Sequence, residues 1–349
     1  VDRLTRAAML LGVVCGLGVF VWHTLGATAL LTGLNTGPEL MDPARTYVLI
    51  RALGFPVQLL NTAMWGVCLG HKDPSTPLTV SLVSVVLNLI GDYTLCTLMG
   101  MGIAGAAWAT VAAQYFSALV YPVSMKLRRK TYLSRLRGPL ALADVTRYWG
   151  FAVPVMFVTA ATLSVYAVMT AVANMQGVVV AAAHKVAGGL FQFFAMCGEP
   201  MFQGAQALLP RDSEESVKVF VAALSVVGVV VGVAAGLIAV ATTLFAGRLF
   251  TSDPGVLAEA AKVSAPLFLS LMLIIPSRTF QGLVVAQSDL GFYAGITAVD
   301  AVLFAAAVYY SSTVLGAGYV GMWWVHVGLW VVNVSQFALR VGLKKHKLS

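Results

Sequence analysis

Long apolar runs separated by short polar clusters occupy almost the whole chain. Ten of these runs, roughly 7–28, 46–70, 76–99, 102–125, 147–173, 178–207, 217–245, 256–284, 290–312 and 320–342, approach or exceed the ~20 residues a helix needs to cross a hydrocarbon core. The alternating ten-residue segments of a membrane β-barrel do not occur. The pattern predicts an all-α polytopic membrane protein embedded in a lipid bilayer. Composition agrees: only 10% of residues are charged and the mean hydropathy is +0.86, whereas a soluble domain carries about 25% charged residues.

The apolar pattern also repeats. At a shift of 216 residues, Gly12 falls on Gly228, Gly16 on Gly232, Gly66 on Gly282 and Asp73 on Asp289. At the same shift MGIAGAAW (101–108) meets AGYVGMWW (317–324), aligning Gly102, Gly105 and Trp108 with Gly318, Gly321 and Trp324. Agreement at one constant shift, over a distance that contains six crossings, implies a parallel repeat of two six-helix lobes related by an axis along the membrane normal. The first lobe would span 1–125, a basic loop 126–146, and the second lobe with a basic tail 147–349. The second lobe then has six spans and the first only four. This suggests a twelve-span protein of which ten spans are present, lacking its first two; a ten-span protein with an asymmetric repeat is the alternative.

Charge settles topology more than partners. Sixteen of the 22 Lys and Arg residues collect on one side, most densely in Lys126, Arg128, Arg129, Lys130, Arg135 and Arg137. The positive-inside rule places that side in the cytoplasm or its organellar equivalent. A net charge of +8 distributed in this way is no nucleic-acid footprint. Cys15, Cys68, Cys96 and Cys197 lie within spans without metal-ligand spacing, so they read as small core residues and no metal site is expected.

Three carboxylates stand inside spans: Asp92, Glu199 and Asp300. A charge near the bilayer centre costs about 2.5–3.5 kcal/mol on insertion scales, so such residues tend to face a cavity and to serve ions or substrates. Glu199 is followed by Pro200, which has no N–H and should kink the helix, freeing the carbonyl of Met196. Gln192, Gln203 and Gln206 share its span, which makes the segment a candidate cation or proton site. The other reading is a carboxylate held by a neighbouring Arg or amide. Asp300 divides evenly between functional and structural roles, and Asp92 pairs naturally with Asn88 one turn away. Arg51, Lys185 and Arg278 are the embedded cations. His184, beside Lys185, suits proton exchange or a bond between helices, while His23 and His326 have no evident partner. No phosphate loop, zinc-binding His-Glu-x-x-His, nucleophile elbow or Cys-x-x-Cys is present, so no catalysis and no cofactor beyond a coupling ion are expected.

The stretch YVLIRALGFPVQLLNTAMWGVCLGHKDPSTPL (47–78) resembles the fourth span and following loop of the multidrug and toxic compound extrusion (MATE) family. LNLIGDYTLC (87–96) is similar to its Asn-x3-Asp pattern, GMGIAGAAWATVAAQY (100–115) to its sixth span, and AAAHKVAGGLFQFFAMCGEPMFQGAQALLPRD (181–212) to the eighth span of a DinF-like branch with plant and algal plastid members. The resemblance implies two six-helix lobes around a V-shaped cavity. It also implies efflux of organic small molecules by alternating access, in exchange for H⁺ or Na⁺. Glu199 matches the acidic position of span eight; Arg51, Asn88 and Asp92 match polar positions of spans four and five. The seventh span has no acidic residue, so within the second lobe Glu199 inherits the coupling role. A lipid-linked precursor flippase of the same superfamily, an integral-membrane transferase and a non-transporting truncated product are the competing readings. A monomer is expected, in the plastid envelope or else in the plasma or vacuolar membrane.

Overall fold

The computed structural model describes residues 2–33, 38–71, 73, 75–128, 142–209 and 213–343. The Arg129–Arg137 part of the basic loop and the tail beyond Leu343 lie outside the described residues. The described chain is helical almost throughout: α1 (Asp2–Gly33), α2 (Pro38–Ala52), α3 (Phe55–Gly70), α4 (Ser75–Asp92), α5 (Gly102–Leu127), α6 (Leu142–Met175), α7 (Val178–Ala195), α8 (Glu199–Leu208), α9 (Glu214–Phe245), α10 (Pro254–Lys262), α11 (Ser264–Ala286), α12 (Leu290–Thr313) and α13 (Gly318–Leu343). Among the described residues eight helices, counting across internal breaks, are long and apolar enough to cross a membrane, or nine if a bent pair is one span. α13 is long enough but carries His326, Asn333 and Gln336, so it is less apolar than those eight.

Several expected spans prove to be interrupted. The run 46–70 bends by 47° between α2 and α3, where Gly54 precedes Phe55 and Pro56 at the start of the new helix. The run 76–99 ends in a six-residue π-helical segment, Tyr93–Leu98. The run 256–284 divides at Val263 between α10 and α11. Proline and the loss of helical hydrogen bonds cause such breaks, which are tolerated in a membrane only where the freed backbone groups find partners. Here Tyr115 Oη donates to Leu53 O at 3.0 Å, closing the first of them.

By internal contacts the chain forms two compact units, Val1–Gly150 and Phe151–Ser349. The repeat is visible within each. In the first unit, a Cβ on Gly12 would stand 2.9 Å from Leu59 O and one on Gly16 2.8 Å from Phe55 O, so α1 lies backbone against backbone on α3. In the second unit, a Cβ on Gly232 would stand 3.1 Å from Leu271 O, and one on Gly228 3.2 Å from Pro276 Cα, as α9 lies on α11. Phe55 and Leu271 are 216 residues apart, as are the glycines. Small residues that admit close helix approach are the usual basis of packing in lipid, where burial of apolar surface offers little drive. Backbone conformation repeats as well: Gly100 (φ 66°) and Gly102 (φ 54°) match Gly316 (φ 62°) and Gly318 (φ 57°), making the same left-handed turn before α5 and α13.

Candidate functional site

The Glu199–Pro200 stretch breaks its span, as its composition predicts. α7 stops at Ala195, Met196–Gly198 form one turn of 3₁₀-helix, and α8 restarts with Glu199 and Pro200 in its first turn. The expected free carbonyl is not there: Met196 O accepts from the N–H of Glu199, because the 3₁₀ turn tightens the bond instead of abandoning it. The break matters through Gly198. A Cβ there would come 2.8 Å from Arg278 Cγ, so only glycine lets the Arg278 side chain of α11 cross the break undisturbed.

Arg278 reaches both ways. Its Nη2 forms an ion pair with Glu199 Oε1 at 3.6 Å, and its Nη1 donates to Gln281 Oε1 at 3.1 Å. Glu199 is therefore held by a neighbouring Arg while its side chain stays 44% exposed. From Gln281 the contacts run inward. Gln281 Nε2 donates to Asn333 Oδ1 at 2.8 Å and to Ser277 Oγ at 3.2 Å; Ser277 Oγ donates to the same Asn333 oxygen at 2.6 Å. Asn333 Nδ2 donates to Asp300 Oδ2 at 3.0 Å, and Gln336 Nε2 to Asp300 Oδ1 at 3.0 Å. An unbroken polar chain thus links Glu199 to the buried Asp300 through Arg278, Gln281 and Asn333, all within the second unit.

Helical spacing explains why these side chains meet. Ser277 and Gln281 are four apart on α11, and Asn333 and Gln336 are three apart on α13, so each pair shares a helix face. Reading the sequence for charge found Glu199, Arg278 and Asp300 but missed Ser277, Gln281, Asn333 and Gln336. Their signal was amide and hydroxyl residues at i,i+3 and i,i+4 inside apolar helices.

The other predicted residues lie elsewhere. Gln192 and Gln203 are not members of this chain; Gln192 borders a small space with His184, Phe191 and His326. His184 is buried against Tyr319 and Trp323, with ring centroids 6.2 and 5.9 Å away. His326 and His23, which had no evident partner in sequence, both have one. His326 Nδ1 lies 3.1 Å from Ser270 Oγ and its Nε2 accepts from Trp330 Nε1 at 3.0 Å; His23 Nδ1 lies 2.9 Å from Val19 O. Lys185 is exposed on α7.

In the first unit, Arg51 Nη1 donates to Gln114 Oε1 at 3.3 Å, and Asn61 Nδ2 to Gln114 O at 2.8 Å. Asn88 turns to Thr110 Oγ1 on α5, 3.4 Å away, not to Asp92. Asp92 itself immediately precedes the π-helical turn. Among the described residues no group of His, Cys, Asp and Glu is arranged to hold a metal ion.

Known proteins share this architecture. Residues 1–94 match the MatE family. The chain is 28% identical over 330 residues to the chloroplastic protein DETOXIFICATION 47 of Arabidopsis thaliana, covering 92% of this chain and 60% of that protein. It is 33% identical to the DNA damage-inducible protein F of Escherichia coli over 108 residues, or 28% of this chain and 24% of that protein. The crystal structure of the eukaryotic MATE transporter AtDTX14 superposes with a TM-score of 0.83 at 13% identity, covering 99% of this chain and 78% of that one. The chain thus spans about three-fifths of the length of the plant protein.

Proposed function

We propose that this chain, which belongs to the MATE family, is part of a secondary transporter that expels organic solutes in exchange for H⁺ or Na⁺. The observation that carries the reading is the polar chain from Glu199 to Asp300 inside a bundle of apolar helices. Placing two carboxylates in membrane spans is costly, and such groups are retained where they bind ions or relay protons. In this reading Glu199, at the exposed end and beside a helix break, exchanges its Arg278 partner for the coupling ion. The chain's own sequence offers no nucleotide site, so the drive comes from an ion gradient.

The flippase alternative would draw on unpaired cations for a pyrophosphate group. Arg278 is committed to Glu199 and Gln281, and Arg51 to Gln114, which favours the exporter. The chloroplastic relatives favour a plastid envelope site. The test is efflux of a fluorescent organic cation from proteoliposomes under an imposed pH or Na⁺ gradient, comparing the native protein with Glu199→Gln. Gradient-driven efflux that the variant abolishes supports the reading. Equal efflux from both would reduce Glu199 to a structural role.

A further inference from the structure

A groove runs between α7 and the end of α9 within the second unit, apart from the polar chain. Lys185, Gly189 and Phe193 of α7, Thr242 of α9, and Phe250 just past the 3₁₀ turn Gly247–Leu249 line it. Its volume is ≈ 710 Å³, within the ~300–1,000 Å³ of sites that take small organic molecules. Phe193 and Phe250 are both exposed, so the groove offers bare aromatic surface.

The sequence of α7 lays this groove along one helix face. Lys185, Gly189 and Phe193 recur every four residues and so stand in a row. A methyl added to Gly189 would meet open space. The row therefore has a cation at one end, a gap in the middle and an aromatic ring at the other. Phe194 meets Phe193 edge-on, with centroids 5.2 Å apart, and closes the ring end.

Lys185 is the one charged side chain among the described residues that line the groove. Among the described residues no carboxylate forms an ion pair with it, and an unpaired lysine inside a span is costly. It stands seven residues beyond Val178, the first residue of α7, or about 10 Å along the helix. Helical side chains lean toward the N-terminus, and the long lysine stem carries its ammonium farther in that direction. For α7 that direction is the membrane face opposite the basic loops. The ammonium thus approaches headgroup level while the rest of the groove runs into hydrocarbon.

Only a ligand with a negative head and a long apolar body suits both ends. A free phosphate would leave the aromatic wall bare, and an organic cation would meet Lys185 with like charge. A single cation matches one phosphodiester and falls short of a pyrophosphate.

We infer that this groove holds one anionic phospholipid drawn from the bilayer, with its phosphate on Lys185 and an acyl chain passing Gly189 against Phe193, Phe194 and Phe250. The lipid is a bound component of the second unit and not a transported solute. The inference stands whether or not the chain exports organic molecules.

The test is native mass spectrometry of the purified chain released from detergent, with dioleoyl phosphatidylglycerol or dioleoyl phosphatidylcholine added. One phosphatidylglycerol should be retained per chain, and phosphatidylcholine should not. Lys185→Gln should weaken that retention at least about fivefold, and Gly189→Leu, which fills the gap, should weaken it as well. Lys185→Arg should keep it, as should Lys262→Gln, whose lysine pairs with Glu259 on α10. Equal retention of the two lipids overturns the inference, as does native retention by both Lys185→Gln and Gly189→Leu. Displacement of the lipid by inorganic phosphate, with no effect of Gly189→Leu, overturns it in favour of a free anion. A dimer that Gly189→Leu dissociates, in place of a retained lipid, overturns it in favour of a second copy of the chain. If Gly189→Leu does not fold, the contrast between Lys185→Gln and Lys185→Arg at this exposed position decides, and equal retention by the two overturns it.

Discussion

Replacing Asn333 with leucine cuts the polar chain at its centre. The native side chain makes three hydrogen bonds, accepting from Ser277 and Gln281 and donating to Asp300. Leucine is larger, but Asn333 borders a space of ≈ 40 Å³ beside Asp300 that takes up part of the extra volume. The cost is then mainly lost bonding. Side-chain hydrogen bonds between membrane helices average about 0.6 kcal/mol with a ceiling near 1.7, so the three come to about 2 kcal/mol and at most about 5. Reversible unfolding in mixed detergent micelles should show that loss for Asn333→Leu, with about 1.2 kcal/mol for Ser277→Ala, which loses its bonds to Asn333 and Gln281. Because both variants break the Ser277–Asn333 bond, the double variant should lose less than the sum of the two. Gradient-driven efflux should fall with the first variant and survive the second. A cost under about 0.5 kcal/mol with undiminished efflux would refute the picture of a continuous chain from Glu199 to Asp300.

Three further outcomes rest on individual contacts. Gly16→Ala and Gly232→Ala should each destabilise by about 1–3 kcal/mol through overpacking, whereas Gly18→Ala, whose added methyl meets open space, should not; thermal inactivation in detergent checks this. Gly198→Ala should push Arg278 off Glu199 because its Cβ would stand 2.8 Å from Arg278 Cγ, lowering efflux far more than the melting temperature. Arg340→Ala should cost about 1 kcal/mol or less, since the ion pair of Arg340 with Asp289 at 2.9 Å is partly exposed, and its loss should leave efflux unchanged.

The placement of most spans was legible because lipid imposes length and apolarity on each helix directly; the expected tenth, α13, is less apolar than the others. The repeat was legible too: glycines at close helix contacts cannot be replaced cheaply, so they mark the register in both halves. What could not be read was rotation about the helix axes. Asn88 was paired by spacing with Asp92, yet α4 is turned so that Asn88 meets Thr110 on α5. Likewise the roles of Gln281 and Asn333 depend on which faces of α11 and α13 oppose one another, a property of three-dimensional packing that no single helix encodes. The bend at Gly54 was missed for another reason. Pro56 sits where a starting helix tolerates proline, so it could as well have belonged to an unbroken span.

The paired left-handed turns, Gly100 to Gly102 and Gly316 to Gly318, also bear on how the chain is built. Each joins a descending helix to an ascending one with almost no intervening polypeptide. Two helices so tightly tied are held side by side as a hairpin by the turn itself. Each half thereby carries one hairpin whose two helices are neighbours in sequence. A side chain with a Cβ at any of these four glycines would strain the turn that ties its two helices together.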